Sequence, residues 1–281
     1  MSQAEIGPNR YGKSAIRLVK VVRGRDGGRH AVRDLTVAIA LEGDFAASYV
    51  DGDNSLVVAT DTMKNTVYAF AREHLTGPIE AFGAVLARHF AAVSQVRKAT
   101  VSIEEHEWRR IGDAPDAFTR DKSATRTCVV EASGSGPLVV DAGTADLTVM
   151  KTGKSAFAGF PRNEYTTLAE TSDRIMATKL TATWRYLGEP DWDVSFTAIR
   201  RTLLEVFAEH ASESVQHSIW LIGQAIVDRH AEVAEVTMTM PNLHHWLVDL
   251  SPFGQPNDRE IFVATTEPHG LIQATVRRAA G

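Results

Sequence analysis

The sequence has one cysteine and no surplus of basic residues. Cys128 cannot form an intrachain disulfide, and it cannot contribute to a metal site built from paired thiolates. The 281 residues carry a formal net charge of −5. This balance disfavours a nucleic-acid-binding protein, because neutralising phosphates requires surplus Lys and Arg. With 44% hydrophobic residues, the composition is typical of a globular protein with a sizeable core.

Long hydrophobic runs are also missing. No apolar stretch approaches the roughly 18 residues that a membrane-spanning helix needs. The first ten residues, MSQAEIGPNR, contain no apolar segment of the kind found in signal peptides. The last four, RAAG, differ from the peroxisomal signal Ser-Lys-Leu. We therefore expect a cytoplasmic protein with neither membrane nor nucleic-acid partners.

Hydrophobic periodicity predicts the same plan of elements twice. In the first half it predicts strands at 16–23, 37–41 and 55–59, helices at 63–70 and 79–93, and strands at 100–103, 125–131 and 138–150. In the second half it predicts a strand at 179–187, helices at 196–207 and 215–226, and strands at 237–240, 247–250, 260–265 and 271–276. The repeat indicates an α+β fold of two duplicated units, residues 1–150 and 151–281, each an antiparallel sheet with helices on one face.

Three local signals refine this plan. Residues 152–171 are polar and rich in Gly and Ser, which by composition alone is typical of an interdomain linker. Ser212 or Ser214 is a candidate N-cap that would put Val215 and Gln216 in a first helical turn, where free N–H groups favour an anion. Thr60 and Asp61 are candidate caps for the first long helix.

Six short motifs occur in an order and spacing that resemble the uricase family from about residue 11 to residue 276. They are Tyr11-Gly-Lys13, VATDTMKN at 58–65, FAGFPRNEYTTL at 157–168 followed by Asp173-Arg174, Ser214-Val-Gln216, Pro241-Asn-Leu-His244, and Gly270-Leu-Ile272. Leu243 stands where many members carry Lys, and Asn163 where Asp is common. Neither position is one that the family uses for chemistry.

The resemblance implies two tandem tunnelling-fold (T-fold) units that assemble into an oligomeric barrel. It implies a homotetramer with active sites at subunit interfaces. The implied reaction oxidises urate with O2 and water to 5-hydroxyisourate and hydrogen peroxide, without metal or other cofactor. The segment at 152–171 then becomes an active-site loop of the second unit rather than a linker.

The resemblance also assigns roles to individual residues. Lys13, Thr60 and His244 match the family's catalytic proton relay, in which Lys13 must be neutral to accept a proton. The guanidinium fork of Arg174 and the amide of Gln216 suit opposite edges of a purine, and Phe157 suits stacking on its ring. The other substrate contacts implied are the backbones of Asp61 and Val215, and Asn242, which with Thr60 brackets an oxygen site.

Two alternatives remain open on the sequence. One is another T-fold purine or pterin enzyme of the zinc-dependent cyclohydrolase type. No His-Glu-x-x-His motif or cysteine pair accompanies His106, His244 and His245, so we expect no metal site. The other is a urate-binding protein that has lost catalysis, which the presence of Lys13, Thr60 and His244 disfavours.

Overall fold

The structure is a computed structural model that describes residues 4–24 and 28–279. The chain forms two compact units. Unit 1 comprises Met1–Gly143 and Arg185–Val194, and unit 2 comprises Thr144–Trp184 and Ser195–Gly281. The predicted boundary at 150–151 lies inside a strand that begins in unit 1 and continues into unit 2. Residues 1–3 and 280–281, on which the expected absence of sorting signals partly depends, lie outside the described residues.

Unit 1 is built on an antiparallel sheet. In chain order its elements are β1 (Tyr11–Val22), β2 (Ala31–Gly43), α1 (Ala46–Val50), α2 (Thr60–His74), α3 (Ile79–Ala91), β3 (Val96–Glu105), β4 (Trp108–Arg110), β5 (Phe118–Arg120), β6 (Thr125–Ala132) and β7 (Val139–Lys151). Neighbouring strands follow the order β1-β2-β3-β6-β7, and β4 pairs with β5 separately.

The core of unit 1 lies between this sheet and helices α2 and α3. Side chains of β2 alternate between buried and half-buried, as period-2 strands require. Val37, Ile39 and Leu41 point to the helix-covered face and are almost fully buried. Met63 and Val67 of α2 are buried at helical spacing. One face of the sheet therefore carries the helices, and the other is richer in small and polar residues.

Unit 2 repeats this combination of sheet and helices. Its elements are β8 (Met176–Tyr186), α4 (Trp192–Glu209), α5 (Val215–Arg229), β9 (Val233–Leu247), a 3₁₀ turn (Ser251–Phe253) and β10 (Phe262–Arg277). The three strands are neighbours in the order β8-β9-β10. Ile219, Ile222 and Ile226 of α5 are fully buried, as are Met238 and Met240 of β9. Among the described residues, no helix is both long and apolar enough to cross a bilayer.

The α+β class and the four long helices are confirmed. Two predicted strands are wrong. Residues 55–59 are irregular, because turns and side chains bind their backbone: Val57 donates to the Asn54 carbonyl and Ser55 to the Asp53 carboxylate. Residues 248–250 are also not a strand. β9 ends at Leu247, and the strands predicted at 260–265 and 271–276 form one strand, β10, interrupted by a bulge.

The caps are as predicted at one helix and not at the other. Ser214 caps α5, its Oγ accepting a hydrogen bond from the backbone N–H of His217 at 3.1 Å. The prediction that Thr60 or Asp61 caps α2 is wrong. Ala59 occupies the N-cap position without a side-chain bond, and Thr60 is already the first helical residue. The Asp61 carboxylate instead accepts hydrogen bonds from the Lys64 and Asn65 side chains.

Candidate active site

A cavity of about 670 Å³ in unit 2 gathers most of the predicted substrate contacts. Six of the nine predicted site residues line it: Phe157, Arg174, Val215, Gln216, Asn242 and His244. They come from the 152–175 segment, the start of α5 and the middle of β9. Lys13, Thr60 and Asp61 belong to unit 1 and are not among the described residues that line this cavity.

Arg174 is one of two arginines that line the cavity, and it belongs to a motif that the sequence analysis assigned to the substrate. Its backbone N–H donates to the Ser155 carbonyl at 2.7 Å, which fixes where the side chain begins. Its guanidinium carbon lies 5.1 Å from the centroid of the Phe157 ring. Burial lowers the pKa of Arg174, and its Nε is buried without a hydrogen-bond partner among the described residues. An unpaired buried donor costs free energy, which a hydrogen bond to an acceptor would recover.

The N-terminus of α5 supplies donors of a second kind. Val215 and Gln216 are the first two helical residues, and N–H groups at these positions have no intrahelical acceptor. The Val215 side chain is buried in the core, whereas the Gln216 side chain is exposed. The helix therefore presents a backbone N–H, a carboxamide and the positive end of its dipole to the cavity.

Strand β9 brings Asn242 and His244 to the same cavity. Asn242 pairs with Gly270 of β10 and His244 with Thr265, and the bulge in β10 lies between these two pairs. The His244 ring stacks on Trp246, with 5.2 Å between ring centroids. Burial lowers the pKa of His244, and the nearby charge of Arg174 lowers it further. The imidazole is therefore mainly neutral at pH 7 and can accept a proton.

The segment at 152–171 is folded onto unit 2. Phe157 and Thr171 exchange backbone hydrogen bonds of 2.8 and 3.0 Å as an antiparallel bridge, so the intervening residues form a closed loop. Phe160 stacks on Phe157 with 5.0 Å between centroids and an interplanar angle of 16°. This stack fixes the plane of the Phe157 ring beside the cavity.

In unit 1, a β-bulge orients Lys13. Lys13 pairs with Ile39 and Ile16 pairs with Val37, so Ser14 and Ala15 together oppose a single residue of β2. Ala15 takes a positive φ of 54° to form the bulge. Paired residues share a face of the sheet, so Lys13 lies on the helix-covered face with Ile39. It is half-buried there.

The start of α2 lies on this same face. The charge of Lys13 is one cause that lowers the pKa of Asp61, after the larger effect of the Lys64 ammonium bonded to that carboxylate. Lys13 and Asp61 are therefore close enough to interact electrostatically. Thr60, next to Asp61, is half-buried. Unit 1 by itself thus brings Lys13, Thr60 and Asp61 together.

The residues before Lys13 explain part of the Tyr11-Gly-Lys13 motif. A Cβ at position 12 would lie 1.8 Å from the Ile39 carbonyl oxygen, so only glycine allows β1 and β2 to approach as they do. The Tyr11 hydroxyl bonds to the backbone of Val58, and burial raises the pKa of Tyr11. Neither Tyr11 nor Gly12 was assigned a role from the sequence.

Several other residues that line the cavity were not predicted from the sequence to be site residues. Gly270 and Ile272 belong to a quoted motif and line the cavity, as does Leu168. Arg259 and Phe262 line it too, but they stand outside every quoted motif. Arg259 forms an ion pair with Asp173, the residue before Arg174, at 3.2 Å. Among the described residues, no three His, Cys, Asp or Glu side chains form a group that could hold a metal ion.

Sequence comparison gives a consistent result. A family model described as Uricase matches residues 9–131 and 140–273. The chain is 47% identical to the uricase of Arthrobacter globiformis over 275 residues, which cover 97% of this chain and 90% of that protein. It is 37% identical to the uricase of Dictyostelium discoideum and 36% identical to that of Aspergillus flavus, with 96% of each chain covered in both comparisons.

Solved structures agree with this assignment. The crystal structure of the Arthrobacter globiformis uricase superposes with a TM-score of 0.94 at 45% identity, covering 100% of this chain and 97% of that one. A uricase from Bacillus fastidious superposes with a TM-score of 0.82 at 25% identity, covering 97% and 94%. With the family model matching nearly the whole length and relatives this similar, the chain belongs to the uricase family.

Proposed function

We propose that this protein is a urate oxidase, which converts urate, O2 and water to 5-hydroxyisourate and hydrogen peroxide. The observation that carries the proposal is the half-buried Arg174, which lines a cavity with Phe157 and Gln216 in a member of the uricase family. The reaction balances in electrons and atoms. Urate loses two electrons to O2, which is reduced to peroxide, and water supplies the hydroxyl that the purine gains.

The unit 2 residues bind the purine in this proposal. Arg174 donates from its planar fork to a carbonyl oxygen and ring nitrogen of the urate anion. Gln216 reads the opposite edge with a donor and an acceptor, and the Val215 N–H adds a backbone donor. Phe157 stacks on the purine ring. Together these contacts hold a flat anion in one orientation.

The proton-handling residues come from both units. Thr60 passes a proton between the substrate and Lys13, because a hydroxyl both donates and accepts. The largely neutral His244 orients or recharges that pair. The backbone of Asp61 contacts the substrate, and Asn242 with Thr60 brackets the place where O2 and then water react. The electron-rich urate dianion reduces O2, while the protein supplies positioning and electrostatics.

The proposed reaction needs no metal or other cofactor. Purified protein should be colourless and keep its activity in strong chelators. Loss of activity on chelation, restored by a divalent ion, would favour the zinc-dependent cyclohydrolase alternative. The experiment that separates the proposal from a catalytically inactive urate-binding protein is direct: adding urate in air should release hydrogen peroxide in proportion to the urate consumed. Binding without peroxide release would reject the oxidase.

The assembly belongs to the proposal as well. We propose a homotetramer in which Lys13 and Thr60 of one subunit face Phe157, Arg174 and Gln216 of another. Strands β1 and β10 have one neighbour each within their own unit, so each has an edge that other subunits could pair with or cover. Thr60→Ala and Arg174→Ala proteins, each inactive alone, should regain activity when mixed, mildly dissociated and reassembled. If mass measurement verifies mixed oligomers and activity stays at background, sites are not shared between subunits.

A further inference from the structure

Two segments that carry purine contacts are joined by their backbones at Ser212. The Ala156 N–H donates to the Ser212 carbonyl at 2.7 Å, and the Ser212 N–H donates to the Lys154 carbonyl at 2.9 Å. The segment at 152–171, here called the Phe157 loop, is therefore bound to the residues that precede α5. Because Arg174 donates to the Ser155 carbonyl in the same stretch, Ser212 lies at a junction of the segments that hold Phe157, Arg174 and Gln216.

The Ser212 side chain adds contacts of its own. It is 1% exposed, and its Oγ lies 2.9 Å from the Ser214 carbonyl oxygen and 2.8 Å from the Ser218 Oγ. The Ser214 carbonyl and the Val215 N–H belong to one peptide unit. That carbonyl also accepts the Ser218 N–H at 3.1 Å, the first backbone bond of α5, and the second bond from Ser212 further restrains the peptide plane and polarises its N–H, because coupled hydrogen bonds strengthen one another.

Neighbouring groups hold the hydroxyl in place. His210 Nδ1 lies against the Val206 carbonyl and must carry hydrogen, so the Nε2 of the neutral ring accepts from the Ser218 hydroxyl at 2.8 Å. With the Ser218 proton on His210, the single proton of Ser212 remains for the Ser214 carbonyl or the Ser218 oxygen. The Ser212 hydroxyl therefore lies beneath the first turn of α5, next to the Ser214 carbonyl, the Ser218 Oγ and, at 3.7 Å, the Met176 Sδ.

We infer that Ser212 is a positioning residue for urate: its hydroxyl orients the Ser214–Val215 peptide, whose N–H is the proposed donor to the purine, and its backbone fixes that peptide relative to the Phe157 loop. The inference rests on the proposed oxidase function. A positioning role differs from a purely structural one, because loss of the hydroxyl is then expected to change substrate affinity as well as stability.

The test is Ser212→Ala, which removes the hydroxyl and keeps the backbone bonds. Urate affinity should be measured by anaerobic titration, where no turnover occurs, together with kcat and KM in air. The Kd and KM should rise by about two- to tenfold, the range expected for loss of one hydrogen bond, while kcat changes by less than about twofold. Ser212→Cys keeps a weak donor of similar size and should give an intermediate Kd.

Ser195→Ala is the matched control. Ser195 is also buried in unit 2, and its Oγ donates to the Glu232 carboxylate at 2.6 Å. This variant should lose stability and keep the wild-type Kd. An unchanged Kd in Ser212→Ala, or an equal rise in Ser195→Ala, would overturn the inference while the oxidase proposal stands. If Ser212→Ala does not fold, Ser212→Cys with a wild-type Kd has the same force. A wild-type protein that does not bind urate would reject both.

Discussion

The Tyr11 hydroxyl accepts a hydrogen bond from the Val58 N–H at 2.7 Å and lies 3.2 Å from the Val58 carbonyl, to which it donates. One side chain thus satisfies both polar groups of a residue in an irregular segment. Lys13 follows Tyr11 by two residues in β1, and Thr60 follows Val58 by two at the start of α2. The Tyr11–Val58 contact therefore fixes the two proposed relay residues relative to each other.

Tyr11→Phe should lower kcat by about tenfold while the Kd for urate stays near wild type. The ring would still pack edge-on against Phe45, but the backbone of Val58 would lose both bonds, and leaving a part-buried group unpaired costs about 1–3 kcal/mol. Stopped-flow single turnovers would measure the effect on the chemical step. Tyr49→Phe is the control, because the Tyr49 hydroxyl makes an exposed contact of 3.4 Å to the Arg10 carbonyl. Equal effects of the two substitutions would remove Tyr11 from this role.

Thr60→Ala should reduce kcat by about 10² or more while urate still binds, since a positioned proton relay contributes about 10²–10⁴-fold. Lys13→Met should do the same. If the two residues act as one unit, the double variant should be little worse than either single variant. The measurement is a double-mutant cycle in kcat at fixed pH. Effects that multiply independently would show that Lys13 and Thr60 do not form a relay.

Arg174→Lys keeps the positive charge and loses the planar fork. We expect KM for urate to rise by one to two orders of magnitude, equivalent to about 1.4–3 kcal/mol, the range for hydrogen bonds to a charged group. Arg259→Lys is the comparison, because Arg259 lines the same cavity and its guanidinium is held by Asp173. A wild-type KM in Arg174→Lys would place Arg174 outside the substrate site.

The sequence predicted the long helices well from local patterns. It predicted poorly the features that depend on contacts between distant segments. Apolar periodicity located α2 and α5, and Ser214 marked the start of α5, because these signals lie within one or two helical turns. Periodicity could not reveal the bulge at Ser14 and Ala15, since the shift is defined by pairing with β2, which is distant in sequence. Residues 55–59 resemble a strand in composition. Their backbone is nevertheless irregular, because Val58 bonds to the Tyr11 hydroxyl and the Val57 N–H bonds within a turn.

The residues of the candidate site show the same difference between local motifs and contacts with distant segments. Phe157, Arg174, Gln216, Asn242 and His244 were named from motifs, and they line one cavity. Ser212 and Tyr11 contact backbone groups of Ser214 and Val58, the first residues of two of the motifs. Nothing in their residue type distinguishes them from an ordinary turn serine or core tyrosine. Their contacts become visible only when the packing of unit 1 and of unit 2 is known.

The pKa of His244 should rise when the charge of Arg174 is removed. Burial and the Arg174 guanidinium both lower it from the ordinary value of 6.5, so the acid limb of kcat/KM in the wild type should lie below pH 6.5. NMR titration of the His244 ring in Arg174→Met should give a midpoint above that of the wild type. An unchanged His244 midpoint would show that Arg174 does not act on its charge.

Arg126→Met should destabilise unit 1 by about 3–5 kcal/mol at pH 7, because it leaves the buried Glu80 carboxylate without its 2.8 Å partner. Denaturant unfolding measures this change. Arg88→Met, which breaks a half-exposed pair with Glu189, should cost less than about 1 kcal/mol. The double variant Arg126→Met with Glu80→Gln should recover part of the loss. Equal losses in the two single variants would contradict this account of the buried pair.

The pH dependence of that loss has a definite sign. Burial raises the pKa of Glu80 above its ordinary value of 4.5, and Arg126 opposes the rise. The folded state therefore holds this proton to higher pH than the unfolded state, so the contribution of Glu80 to stability is present in acid and is lost as pH rises through the raised pKa. Removing Arg126 raises that pKa further. The Arg126→Met penalty should consequently be larger at pH 7 than at pH 4.5.

The bulge in β1 also works as a frameshift in the alternation of side chains. In a regular strand, residues 13 and 16 would point to opposite faces. The extra residue puts Lys13 and Ile16 on the same face, so the proposed base and the hydrophobic core share one side of the sheet. Deleting Ser14 or Ala15 would restore a regular strand in which Lys13 and Ile16 stand two residues apart and still share a face, as their partners Ile39 and Val37 do. The faces of the proposed base and of the core residue are thus set by their partners in β2, and not by the number of residues between them in β1.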